Sequence, residues 1–261
     1  ARKLVLLDVP SPYEKEEAQT LPLNVVISGS SDASQINATI GEQLSFFGEL
    51  NHQRAVFDRA HLILGQEQMY LPASGFHISV DLAEIDYLPW QTLVEDIIDS
   101  IPSNAQSTTE QPLLAQPQRI RGVVDKVNIF GQTLTLASFD MQHLPDWWQV
   151  ELNAQQLRAQ AKLFHQWQSL GANISADFIH IGDANASFID DIAPVSTADN
   201  QPPEPLTPIM THNLAQRYIN TMVPIQFSCR SCRYNKINLG QVDVVLSKNN
   251  VNQLTLNSFT S

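Results

Sequence analysis

From residue 76 the chain reads FHISVDLA, with Phe76, Ile78, Val80 and Leu82 alternating with His77, Ser79, Asp81 and Ala83. An extended strand turns successive side chains to opposite faces, so this period of two predicts a half-buried strand, apolar on one side and wet on the other. The same reading fits Ile36, Ala38 and Ile40; Leu44, Phe46 and Leu50; Trp148, Val150 and Leu152; and Val242, Val244 and Leu246. Many strands of one kind predict large antiparallel sheets. Two more flank Gly131 in RIRGVVDKVNIFGQTLTLASFDM, where the apolar phase slips near Ala137 and a β-bulge would account for it.

One segment has a different period. In LPWQTLVEDIIDSIP, the residues Trp90, Leu93, Val94, Ile97, Ile98 and Ile101 fall on one face of an amphipathic helix over about 89–101. Pro89 suits its first turn and Pro102 ends it. The apolar stripe is expected to pack on the apolar sheet face, with Glu95, Asp96 and Asp99 solvated. A weaker helix is expected over about 213–222, with Thr211 as its cap. QQLRAQAKLFHQWQSL reads both ways, because Leu157, Ala159, Ala161 and Leu163 alternate while the composition favours helix. Residues 103–118 and 194–208 are polar and rich in Pro. They are sub-boundaries or linkers in what otherwise reads as one extended β domain over 1–261.

The 27 acidic against 15 basic residues give a formal charge of -12, which disfavours nucleic acid and anionic membrane surfaces as partners. No stretch approaches the roughly 18 apolar residues of a membrane span. The chain starts without Met and ends on a strand-like pattern, so it reads as a segment of a longer polypeptide whose anchor lies elsewhere. The seven His residues (52, 61, 77, 143, 165, 180 and 212) form no ligand spacing. There is no GxSxG elbow, no phosphate loop and no evident acid and base pair. The reading is therefore no catalytic residue, no metal, no cofactor and no enzyme. Trp147 and Trp148 are neighbours that face opposite ways on a strand, so one of them is expected in the core.

The only two cysteines, Cys229 and Cys232, stand in QFSCRSCRYNKINLGQVDVVL. No helix follows to lower a thiol pKa, which argues against a thioredoxin-like site, and no second Cys pair completes a zinc site. In an oxidising compartment two close thiols with no other partner pair with each other, so a Cys229–Cys232 disulfide is expected, with a pair of free, partly buried thiols as the alternative. A disulfide needs the two Cα atoms within roughly 7 Å, whereas extended backbone would hold them about 10 Å apart, so a bonded CRSC is expected to be a turn.

Four stretches in order carry a resemblance. RAHLILGQEQMYLPASGFHISVDLAEIDYLPWQTLV looks like a strand, LPxxG, strand and Trp-led helix; RGVVDKVNIFGQTLTLASFDM like a strand, Phe-Gly turn and strand. WWQVELNAQQLRAQAKL is similar to the next hairpin, and FSCRSCRYNKINLGQVDVVLS to a Cys-containing turn followed by Leu-Gly and a strand. In these the chain resembles the YhdP-type branch of the AsmA-like family, bacterial envelope proteins anchored in the inner membrane that extend through the periplasm. The resemblance implies an elongated, curved, groove-like β-sheet and a non-enzymatic role. Its apolar face would hold phospholipid acyl chains and help move the lipid between the inner and outer membranes. The inward residues would be Phe76, Ile78, Val80, Leu82, Val242, Val244 and Leu246, with other envelope proteins as further partners. The alternative is a closed β-sandwich, a structural or protein-binding envelope module that holds no lipid.

Overall fold

The structure is a computed structural model and describes residues 10–13, 20–91, 112–129, 131–182 and 223–248, together with the backbone of 254–260. Thirteen strands dominate it, and strand neighbours follow chain order. Two compact units divide the chain, one of residues 1–145 and 149–155, the other of 146–148 and 156–261.

The first unit contains β1 (Leu23–Gly29), β2 (Ala33–Ile40), β3 (Leu44–Asn51), β4 (Val56–Gly65), β5 (Gly75–Asp86), β6 (Pro117–Ile129) and β7 (Gln132–His143). β1 to β4 form an antiparallel meander, β5 runs parallel to both β4 and β6, and β6 and β7 pair antiparallel. The two parallel junctions follow the longer connections after Gly65 and Asp86, whereas hairpins join the antiparallel pairs. The strand β8 (Trp147–Asn153) has residues in both units.

The second unit contains β9 (Leu157–Phe164), β10 (Ala172–Ile181), β11 (Ile225–Tyr234), β12 (Ile237–Lys248) and β13 (Leu254–Thr260). Pairing is antiparallel except between β10 and β11. The ambiguous QQLRAQAKLF is strand β9, and only Trp167–Leu170 beyond it is helical. Alternation wins over helix propensity here because Leu163, Ala161 and Ala159 each have an apolar partner on β10: Ala172, Ile174 and Ala176.

Three sequence expectations change on contact with the structure. The sheets are mostly rather than wholly antiparallel, because each long connection reverses the chain once more than a hairpin would. CRSC lies inside β11 and is no turn, for reasons given below. The phase slip on β7 occurs without an extra residue: Val124 pairs Ala137 and Lys126 pairs Thr135 in unbroken register, and Leu136 at φ 50 turns outward instead. The helix of 89–101 is described only at its start, where helical backbone runs over 87–91. There Trp90 packs against Tyr13, with ring centroids 5.9 Å apart at 87°. Leu93, Val94, Ile97, Ile98 and Ile101, and the weaker helix of 213–222, lie outside the described residues.

Candidate functional site: an apolar face on each unit

Cross-strand partners point to the same face of a sheet, so register shows which side chains stand together. In the first unit one line runs Val25, Ala38, Phe46, Leu62, Ile78, Ile120, Met141 across seven strands, apolar at every step. The line beside it is equally unbroken: Leu23, Ile40, Leu44, Leu64, Val80, Gly122, Phe139. At the usual inter-strand spacing each line is about 29 Å long. A third line adds Ile27, Ile36, Gly48, Ala60 and Phe76.

The glycines in these lines are filled by aromatic rings. A Cβ on Gly122 would stand 2.6 Å from the Val80 carbonyl oxygen and 2.9 Å from the tip of Phe139, and one on Gly48 would strike Phe57 at 2.6 Å. The rings therefore fill the space over bare backbone and keep the face apolar where a side chain is missing. Beyond Leu82 and Val124 the phase shifts in three strands together. Leu82, Val124 and Ala137 form one line and Ile85, Val127 and Leu134 the next apolar one, so the face continues across the shift.

Part of this face is covered. Tyr13 and Trp90 lie against Leu82 and Val124, with Leu44, Leu64, Val80 and Phe139 packed around them. Tyr13 is 8% exposed, donates its hydroxyl hydrogen to the Gln43 carbonyl oxygen at 3.1 Å, and has its pKa pushed up to about 12 by burial. Toward β1 the same face opens: Leu23, Val25 and Ile27 are 66%, 48% and 64% exposed.

The opposite face is largely polar, with Ile63 buried among its polar neighbours, and carries a tight network. His61 is fully buried, donates from Nδ1 to the Tyr70 carbonyl oxygen at 3.0 Å and accepts from the Ser79 hydroxyl at Nε2, 2.8 Å away. Arg121 pairs with Glu67 and lies over the Tyr70 ring, while Arg119 pairs with Asp140, whose carboxylate holds the guanidinium charged. Burial lowers the pKa of both His61 and His77; Arg121 adds to this for both and Arg119 for His77, whereas the Tyr70 carbonyl and Glu67 oppose it at His61. A hydroxyl on an imidazole nitrogen is the contact of a nucleophile with its base, but Ser79 is as fully buried as His61, so no substrate reaches it. The pair fastens the crossover between β4 and β5 to the sheet. Among the described residues no group of three His, Cys, Asp or Glu could hold a metal ion.

The second unit repeats the two-faced pattern. Its apolar lines are Leu163, Ala172, Ile225, Leu246; then Ala161, Ile174, Phe227, Val244; then Ala159, Ala176, Cys229, Val242. Cys229 and Cys232 are joined in a disulfide with Cα atoms 6.0 Å apart, and both belong to the buried cluster with Ala176 and Val242. Its other face carries Lys162 over the Trp147 ring and Arg158 over Phe178. Trp147 and Trp148 are both half-buried, so neither alone is the core residue.

Of the residues singled out from sequence, Phe76, Ile78, Val80 and Leu82 stand together on β5, and Val242, Val244 and Leu246 on β12. Sequence reasoning missed Tyr13, which belongs to no periodic segment, and Ala60 and Val124, both 1% exposed. The alternation Ala60, Leu62, Leu64 would have found the second of these strands' faces; nothing in the sequence marks Tyr13.

The geometry defines a mainly β protein whose sheet faces are divided into an apolar and a largely polar side. The chain belongs to the YhdP protein family, whose model matches residues 3–260. No curated protein and no solved structure matches it. No helix among the described residues is long and apolar enough to cross a membrane.

Proposed function

We propose that the apolar faces hold phospholipid acyl chains, and that the protein is a periplasmic part of an envelope system that helps move lipid between the inner and outer membranes. One observation carries the reading: the apolar lines crossing seven strands of the first unit without a polar interruption. A continuous face of this kind needs a second layer or an apolar ligand. Membership of the YhdP family supports the ligand. Each methylene laid on the face contributes about 0.8 kcal/mol without any specific polar contact, which suits a surface that accepts many phospholipids and releases each one. Phe76, Ile78, Val80 and Leu82 in one unit, and Val242, Val244 and Leu246 in the other, are the residues assigned to the chains.

The second reading is a closed structural or protein-binding module. Tyr13 and Trp90 favour it, since they already cover the face at Leu82 and Val124. A photo-crosslinker separates the two. Placed at Ile78 or Val244 it captures phospholipid in cells under the first reading, and placed at Asp81 or Asp243 on the other face it does not. Ser79 is unsuitable as the control, being wholly buried beneath the crossover. Equal labelling at all four positions, or none, leaves the closed module as the better account.

A further inference from the structure

Cys229 and Cys232 are three positions apart, and in a regular strand they would face opposite sides of the sheet. Instead both lie on the apolar face, 1% and 7% exposed. The cause is a local excess of chain. Cys229 pairs Val242 and Cys232 pairs Gly240, so Arg230 and Ser231 together oppose Gln241 alone. The neighbouring strand has its own extra residue at the same level: Ala176 pairs Ala159 and Phe178 pairs Arg158, which leaves Asp177 over. Because β10 and β11 bulge together, their parallel register is undisturbed, with Ala176 opposite Cys229 and Ile179 opposite Cys232.

The bulge explains how the bond fits in a strand, since it draws together two Cα atoms that extended backbone would hold about 10 Å apart. The converse also holds. Moving the bulge along β11 by one residue would turn one of the two sulfur atoms to the polar face, which a closed disulfide forbids. On the polar side the bulge is bracketed by surface contacts: Arg230 with Asp177 at 3.2 Å, side chains 82% and 53% exposed, His180 with Ser231 at 3.3 Å, and the Phe178 ring with Arg158 and His180. Contacts so exposed are too weak to fix a register.

We propose that the Cys229–Cys232 disulfide is a register lock: it pins the paired bulges of β10 and β11 where they are, and so carries the apolar face past the break to Ile179 and Cys232. The lock is independent of whether lipid occupies that face. The register returns at Arg233 opposite Asn238, so without the bond it is the pairing between the two shifts, within residues 230–240, that slips between registers presenting different side chains inward.

The test is amide hydrogen exchange and cross-strand nuclear Overhauser contacts on the full 261-residue chain, in the parent, in Cys229→Ser/Cys232→Ser and in Arg230→Ala. In the double variant, amides of 230–240 exchange at least tenfold faster and the contact between residues 232 and 240 is lost, while 225–228 and 242–246 keep their protection. Arg230→Ala behaves as the parent. Unchanged protection over 230–240, a uniform loss over 225–246, or the same loss in Arg230→Ala each overturns the lock. Should the double variant not fold, the parent reduced by a phosphine under native conditions is read at the same amides by the same criteria.

Discussion

Leu134 and Ala137 stand three residues apart on β7 yet face the same side of the sheet, 7% and 3% exposed, because Leu136 between them takes a left-handed conformation and turns outward. A branched side chain at positive φ costs roughly 1–2 kcal/mol, and Asn tolerates the region far better. Leu136→Asn is therefore expected to stabilise by up to about 1 kcal/mol, whereas Ala137→Leu overpacks the buried side and costs about 1–3 kcal/mol. Urea midpoints of the two variants check this, and a Leu136→Asn variant less stable than the parent would count against it.

Gly122 lies beneath the ring of Phe139, with no room for a Cβ against the Val80 carbonyl. Gly122→Ala should lower stability by about 2–3 kcal/mol because rigid backbone, not a movable side chain, stands in the way. Thermal melting of this variant beside Gly240→Ala makes the comparison, since nothing lies within 4 Å of a Cβ at Gly240 and only its φ of 67° resists the change. Equal losses in the two would show that the ring is not seated on Gly122.

Tyr13 has a folded-state pKa of about 12, above the ordinary 10, because burial disfavours its phenolate. Its contribution is complete below pH 10 and is lost as pH rises from there through 12. The difference in stability between the parent and Tyr13→Phe should accordingly shrink between pH 10 and 12. At pH 7 the variant costs about 1 kcal/mol for the lost bond to Gln43. A pH-independent difference would remove Tyr13 from the buried cluster.

His61 and His77 titrate below their ordinary range because burial keeps both neutral. The unfolded chain takes up protons first, so stability is complete above about pH 6.5 and falls as pH drops below it. His61→Gln, although less stable than the parent at neutral pH, should lose less between pH 7.5 and 5.5. Denaturant midpoints at the two pH values decide the matter; an equal acid loss in both proteins would place the sensitivity elsewhere.

Much of this architecture was legible because alternation reports facing directly: Ile78 and Val80 were assigned to the apolar side from the residues beside them. What alternation cannot report is the partner. Whether β5 runs with or against β4 depends on which way the chain returns after Gly65, and QEQMYLPAS carries no periodic signal of that path. CRSC departs from the expected turn for a related reason. Ideal extended geometry forbids the bond, and only the excess of chain opposite Gln241 makes a bonded strand feasible. Tyr13 was invisible because a single side chain reaching across from outside the sheet leaves no pattern at all.

Within each unit every strand finds its partners among its immediate predecessors and successors. A polypeptide so wired needs no distant segment to complete any one pairing, and loop-closure costs stay small at each addition. As it leaves a narrow exit in the order of its synthesis, each new strand meets an edge already formed, and the unfinished molecule exposes one growing margin and not many.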